Sequence, residues 1–230
     1  MLNELELTGR ARTHVVQRDD LRAAVHPQAL AAFLDMKSDA ARAGLDLTIT
    51  SAFRDFSAQQ RLWDMKYRGE RPVYDAAGEA LDAAALSDAA RVEAIMCWSA
   101  VPGASRHHWG SELDLVDRAA MPDGYRVQLV PAECVPGALF YPLHCWLDSN
   151  MHRYGYFRPY GRYRGGVRPE PWHLSYSPVS QPALAALTLD VLREALESSD
   201  ILGKSQLLAG LHTIFERYVL NVDPPPRDAA

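Results

Sequence analysis

The sequence predicts one domain that mixes amphipathic helices with a few short strands. Three observations carry this. Apolar residues recur at helical spacing in several segments, three short segments alternate apolar and polar residues, and no linker, repeat or low-complexity block divides the 230 residues. With 48% hydrophobic residues the chain can bury one substantial core. Fifteen prolines and fourteen glycines point to long connecting loops, where sites are commonly built.

Taken in order, Leu30, Phe33, Leu34 and Met36 put a helix over 27–44, with Gly44 placed to end it. Residues 45–50 (LDLTIT) alternate and read as a strand. A helix follows over 57–67, with Ser57 as its expected N-cap, and another over 88–100. The segment 111–116 (SELDLV) alternates again, which sets Leu113 and Leu115 on one face and Glu112, Asp114 and Val116 on the other. Residues 144–154 have helical spacing closed by Gly155, and 171–176 read as a short strand. Two C-terminal helices, through Leu184 to Leu192 and Leu207 to Val219, look like packing elements.

A net charge of −5 and scattered arginines disfavour nucleic-acid binding. Arg158, Arg162, Arg164 and Arg168 cluster, but Pro159, Gly161, Gly165 and Gly166 break the run into a solvated loop. Cys97, Cys134 and Cys145 lack CxxC spacing, so free buried thiols are expected. The N-terminal stretch has no apolar run of signal-peptide length and no segment is long enough to span a bilayer. A cytoplasmic location is the expectation.

The chemistry concentrates in 102–117 (PGASRHHWGSELDLVD), where a turn delivers His107 and a strand brings Asp114 seven positions later. A catalytic zinc site needs three protein ligands and an open fourth position. Residues 170–173 (EPWH) supply His173 as the third ligand. They also supply Glu170, held close by, as a base for the water at the metal, whose pKa zinc lowers to about 7. His108 is expected either to support the ligand or line the pocket or, preferably, to be simply exposed. Trp109 and Trp172 are expected either to shield the site or to pack in the core. His144 and His152, eight apart, have no ligand-pair spacing.

SxHxxGxxxD followed about sixty residues later by ExWHxxY resembles the VanY-type D-alanyl-D-alanine carboxypeptidases of the lysostaphin, D-Ala-D-Ala and sonic hedgehog zinc group. The resemblance runs from about Asp46 to Tyr176. Ser51, Ala52, Phe53 and Arg54 with Gln59 look like the family's SGYR segment and its glutamine, while Trp146-Leu147 and Tyr154 to Phe157 look like its WL…YGF elements. Ala52 and Asp55 depart from the usual Gly and Ser, and Glu112 stands where the family carries a small residue.

The resemblance implies an α+β fold in which a small antiparallel sheet carries one zinc ion on one face, flanked by helices, with a helical extension over 181–220 completing a single domain of 1–230. It implies that Arg54 stabilises the oxyanion or grips a substrate carboxylate, and that Ser105 and Gln59 seat the substrate. Glu112 remains open between a substrate ammonium, solvent and an arginine partner. The implied reaction is removal of the terminal D-alanine of peptidoglycan stem peptides or muropeptides. L,D-carboxypeptidase, D,D-dipeptidase or endopeptidase activity are the alternatives within the class, and a zinc-containing peptidoglycan-binding module is the non-enzymatic one. Glu170 argues against the last, because a binding module has no need of a base.

Overall fold

The computed structural model describes residues 1–226 apart from 22, 76 and 77. The elements in order are α1 (Glu4–Leu7), α2 (Pro27–Arg42), β1 (Leu47–Ser51), α3 (Phe56–Tyr67), β2 (Val73–Tyr74), β3 (Ala80–Leu81), α4 (Asp88–Met96), β4 (Glu112–Asp117), α5 (Tyr141–Asn150), β5 (Tyr156–Phe157) and β6 (His173–Tyr176). Helices α6 (Ser177–Ala186), α7 (Leu189–Glu197), α8 (Lys204–Ala209) and α9 (Leu211–Ile214) follow, with a wide helical turn over Phe215–Leu220. This is the α+β class expected.

Strands β1, β4, β6 and β5 form one antiparallel sheet in that spatial order, and β2 pairs with β3 in a separate hairpin. Pleat alternation gives the sheet two different faces. Leu113, Leu115 and Leu174 point to the back, where they pack with Leu30, Phe33 and Met36 of α2 and Leu143 and Leu147 of α5. Across β4 and β6, Asp114 pairs with His173 and Glu112 with Ser175, so these four polar side chains share the front face. An irregularity between Ile49 and Ser51 sets Ser51 opposite Asp114 and steers the following loop over that face.

A second core lies on the front side. Trp63 of α3, Val92 and Ile95 of α4, Trp109, and Leu192, Leu196, Leu207 and Leu211 of the C-terminal helices are all buried in it. The C-terminal helices therefore pack against the helix that follows the Arg54 segment.

Several boundaries differ from the sequence reading. Helix α3 is capped by Asp55, whose Oδ1 accepts from the Ala58 amide at 2.6 Å, rather than by Ser57. Helix α4 stops at Met96, and the 144–154 helix starts at Tyr141 and tightens into a narrower turn over Met151–Tyr154. The first expected C-terminal helix is two, because Leu187 is extended and Thr188 caps α7.

Candidate metal centre

His107 lies in the tight turn Arg106–Trp109, which Gly110 closes with φ of 67°. That left-handed residue reverses the chain directly into β4, so the turn and the strand deliver His107 and Asp114 to one point. His173 enters from β6, directly opposite Asp114. One donor atom from each of His107, Asp114 and His173 lies within 4.8 Å of the others, and all three residues are buried.

The donor chemistry of this group fits zinc, since two imidazole nitrogens and a carboxylate oxygen converge. Each histidine has its outer nitrogen occupied. His107 Nδ1 donates to the Ala52 carbonyl at 2.7 Å, leaving Nε2 turned toward Asp114 Oδ2 at 3.4 Å. His173 Nε2 lies 2.9 Å from Glu112 Oε2, leaving Nδ1 on the Asp114 side at 3.1 Å from Oδ1. The two rings meet edge to face, 4.9 Å apart.

Burial holds the His107 imidazolium down to about 3, although Asp114 acts the other way. For His173 burial also disfavours the charge, but the hydrogen bonds to Asp114 and Glu112 outweigh it and raise the ring to about 10. A cation bound there would take the place of that proton.

Glu170 sits in the loop before β6 with its carboxylate 3.7 Å from His173 Nδ1, close to the three donors and outside their set. Burial raises it to about 7, with His173 opposing. Arg54 donates to Gln59 Oε1 at 2.8 Å and Ser51 Oγ at 3.0 Å. Both groups line a cavity of about 1120 Å³ that reaches His107, Asp114, His173 and Ser105. Ser105 is 2% exposed, and no described residue hydrogen-bonds its hydroxyl.

Two residues expected at the substrate have protein partners in the structure. Glu112 is 0% exposed and does not reach the cavity: Arg106 meets it through Nε at 3.2 Å and Nη2 at 3.3 Å, so the arginine pairing is the alternative that holds. Gln59 lies on the cavity wall but spends its amide on the protein, accepting from Arg54 and donating to the Ala100 carbonyl at 2.7 Å. It braces Arg54.

His108 is buried rather than exposed, with Nδ1 2.6 Å from the Arg54 carbonyl and Nε2 accepting from the Gly103 amide at 3.0 Å. Trp109 packs in the core beneath the Arg106 guanidinium, 4.7 Å from the ring centre, and Trp172 lines the cavity.

Lys66, Arg106, Ser175 and Tyr160 escaped the sequence reading. Lys66 reaches the cavity from α3 and donates to Ser99 Oγ, with no carboxylate in salt-bridge contact among the described residues. Its spacing from Gln59, seven residues along one helix, was the available signal. Tyr160 places its ring 5.2 Å from that of His173.

A family model described as VanY, D-alanyl-D-alanine carboxypeptidase, matches residues 22–179. An uncharacterised Haemophilus influenzae protein is 34% identical over 122 residues, which cover 52% of this chain and 93% of that protein. A D-alanyl-D-alanine carboxypeptidase of Enterococcus faecalis is 32% identical over 142 residues, 60% of this chain and 43% of that protein. Three solved structures share the fold. VanYB in complex with D-Alanine-D-Alanine has a TM-score of 0.50 at 23% identity, covering 83% of this chain and 92% of that one. The VanY mutant of the VanB-type resistance cassette in complex with Zn(II) has a TM-score of 0.50 at 22% identity, covering 85% and 90%. The LdcB LD-carboxypeptidase has a TM-score of 0.53 at 16% identity, covering 87% and 79%.

Proposed function

Because this chain belongs to the VanY D-alanyl-D-alanine carboxypeptidase family, we propose that it is a zinc-dependent D,D-carboxypeptidase that removes the terminal D-alanine of peptidoglycan stem peptides or muropeptides. The observation that carries the reading is Glu170, a carboxylate beside the His107, Asp114 and His173 donors and facing the same cavity. The related structures with Zn(II) and with D-Alanine-D-Alanine support the metal and the ligand class.

His107, Asp114 and His173 would hold the ion, which when bound would supply a Lewis acid able to acidify water and polarise the scissile carbonyl. Glu170 takes one proton from the attacking water as its oxygen adds to the carbonyl carbon. It then delivers that proton to the D-alanine nitrogen as the C–N bond breaks, and the new carboxylic acid gives its remaining proton to the freed amine, leaving a carboxylate and an ammonium. Arg54, braced by Gln59 and Ser51, offers a fixed positive charge to the carbonyl oxygen as negative charge develops there.

Exopeptidase action is favoured over internal cleavage by Lys66. Arg54 and Lys66 line one cavity, with Arg71 also on its wall, and Arg54 and Lys66 are each hydrogen-bonded only to neutral side-chain partners among the described residues, so the wall offers cations to an anionic ligand end. A free terminal carboxylate meets that need and an internal peptide bond does not.

The deciding experiment incubates zinc-loaded protein and its Glu170→Ala variant with muropeptide penta- and tetrapeptides and follows the products by mass spectrometry. Loss of one D-alanine from the pentapeptide, abolished in the variant, supports the reading. Loss from the tetrapeptide alone would replace it with L,D-carboxypeptidase, and bound zinc with every peptide intact would leave a binding module.

A further inference from the structure

Glu112 departs from the family's small residue, and its surroundings indicate what it does instead. Its Oε2 accepts from His173 Nε2 at 2.9 Å, and its Oε1 accepts from Ser175 Oγ at 2.8 Å and Ser111 Oγ at 3.2 Å. Arg106 clasps both oxygens from behind and also donates to Ser175 Oγ at 2.6 Å, while Ser175 Oγ lies 2.7 Å from Ser180 Oγ. Every member of this network is buried.

The two histidines of the metal centre thus have unlike supports. His107 leans on a neutral backbone carbonyl, whereas His173 leans on a carboxylate that is itself paired with a guanidinium. Strand register makes this possible: Glu112 and Asp114 flank His173 from the neighbouring strand, one on each side of its ring. A carboxylate on the outer nitrogen of a ligand histidine holds the proton on that nitrogen, fixes the ring plane and makes the inner nitrogen a stronger donor.

We propose that the Arg106–Glu112 pair is a positioning device for the metal ligand His173, holding it as the Nε2-protonated tautomer with Nδ1 presented to the ion. This rests on the reading of His173 as a zinc ligand. Glu112 does not line the cavity, although Arg106 does, and it acts through His173.

The test is zinc affinity, measured by chelator competition, on variants that remove the buried charges together. Removing one partner alone strands the other, while replacing a buried pair by apolar residues of similar size is commonly tolerated. Arg106→Met/Glu112→Leu, with its fold checked by circular dichroism and thermal melting, is expected to lose about 10- to 100-fold in zinc affinity. Arg106→Met/Glu112→Gln, which returns an acceptor oxygen, is expected to recover most of it, a rescue that a purely structural pair does not produce. A folded Arg106→Met/Glu112→Leu protein binding zinc as tightly as wild type would overturn the proposal.

A second measurement needs no variant. In 15N-histidine spectra of the zinc-loaded wild type, His173 is expected to carry a slowly exchanging proton on Nε2, and a proton on Nδ1 would overturn the proposal. Wild type that binds no zinc at all would sink the zinc-peptidase reading itself and this inference with it, whereas zinc-binding wild type matched by its apolar variant sinks this inference alone.

Discussion

The Glu170 carboxylate stands 3.7 Å from His173 Nδ1, and no described residue hydrogen-bonds to it. A carboxylate largely withdrawn from water and without donors is costly. Here that cost leaves a group whose proton affinity lies close to neutrality, at about 7, in reach of both the ligand cluster and the cavity.

Replacing Glu170 by Gln keeps the shape of the side chain and removes its ability to carry a proton. The expected result is a fall in kcat of about 10²- to 10⁴-fold with zinc stoichiometry unchanged and KM little affected. Steady-state kinetics beside metal analysis checks this. Equal loss of zinc and activity would instead make Glu170 a ligand.

The pH profile follows from two groups pushed in known directions. Burial raises Glu170 to about 7, and it must be ionised to act, so kcat/KM falls as pH drops; a bound cation favours the carboxylate and moves that limb below 7. Burial lowers Lys66 to about 8, with Glu170 opposing, and it must be protonated to hold an anion, so kcat/KM falls as pH rises past about 8. A guanidinium stays charged, so Lys66→Arg should lose the alkaline limb and keep the acidic one. Profiles of both proteins between about pH 5 and 10 decide it; an alkaline limb that survives in the variant belongs to another group.

The meeting of His107 and Asp114 was legible because strand alternation puts Asp114 on the polar face of β4, and the turn residues before it bring His107 to the same end. Glu112 shares that face by the same rule, yet its partner was not legible. Arg106 and Glu112 lie on opposite sides of a tight turn, and whether they meet depends on how Gly110 folds it. Strands β2, β3 and β5 have two residues each, too few to show a period, and they exist through pairing rather than through local preference. The depth of His108 was hidden for a related reason: one of its neighbours, the Arg54 carbonyl, comes from a distant loop.

Lys66 is expected to contribute to substrate binding through the terminal carboxylate. A charge-assisted hydrogen bond is worth about 1.5–3 kcal/mol, so Lys66→Met should lower kcat/KM by about 10- to 100-fold, mostly through KM. Amidating the peptide's C-terminus should hurt the wild type by a similar factor and the variant much less. If amidation affects both equally, Lys66 does not meet that carboxylate.

Gly110 links the turn that carries His107 to the strand that carries Asp114, and it cannot accept a side chain cheaply. Its φ of +67° already disfavours any L residue, and an added Cβ would lie 2.3 Å from Val15 Cγ1 and 3.0 Å from the His26 backbone nitrogen. Gly44 isolates the first cost, because its φ is +82° but nothing lies within 4 Å of its Cβ position. Gly44→Ala should therefore destabilise by about 1–2 kcal/mol, the conformational cost alone. Gly110→Ala should add an overpacking cost of about 1–3 kcal/mol, and because the backbone of His26 cannot give way as a side-chain tip can, the turn must shift and zinc affinity should fall with it. Urea unfolding of the two variants measures the difference, and equal destabilisation with unchanged zinc affinity would mean that the packing around Gly110 does not set the spacing of the metal ligands.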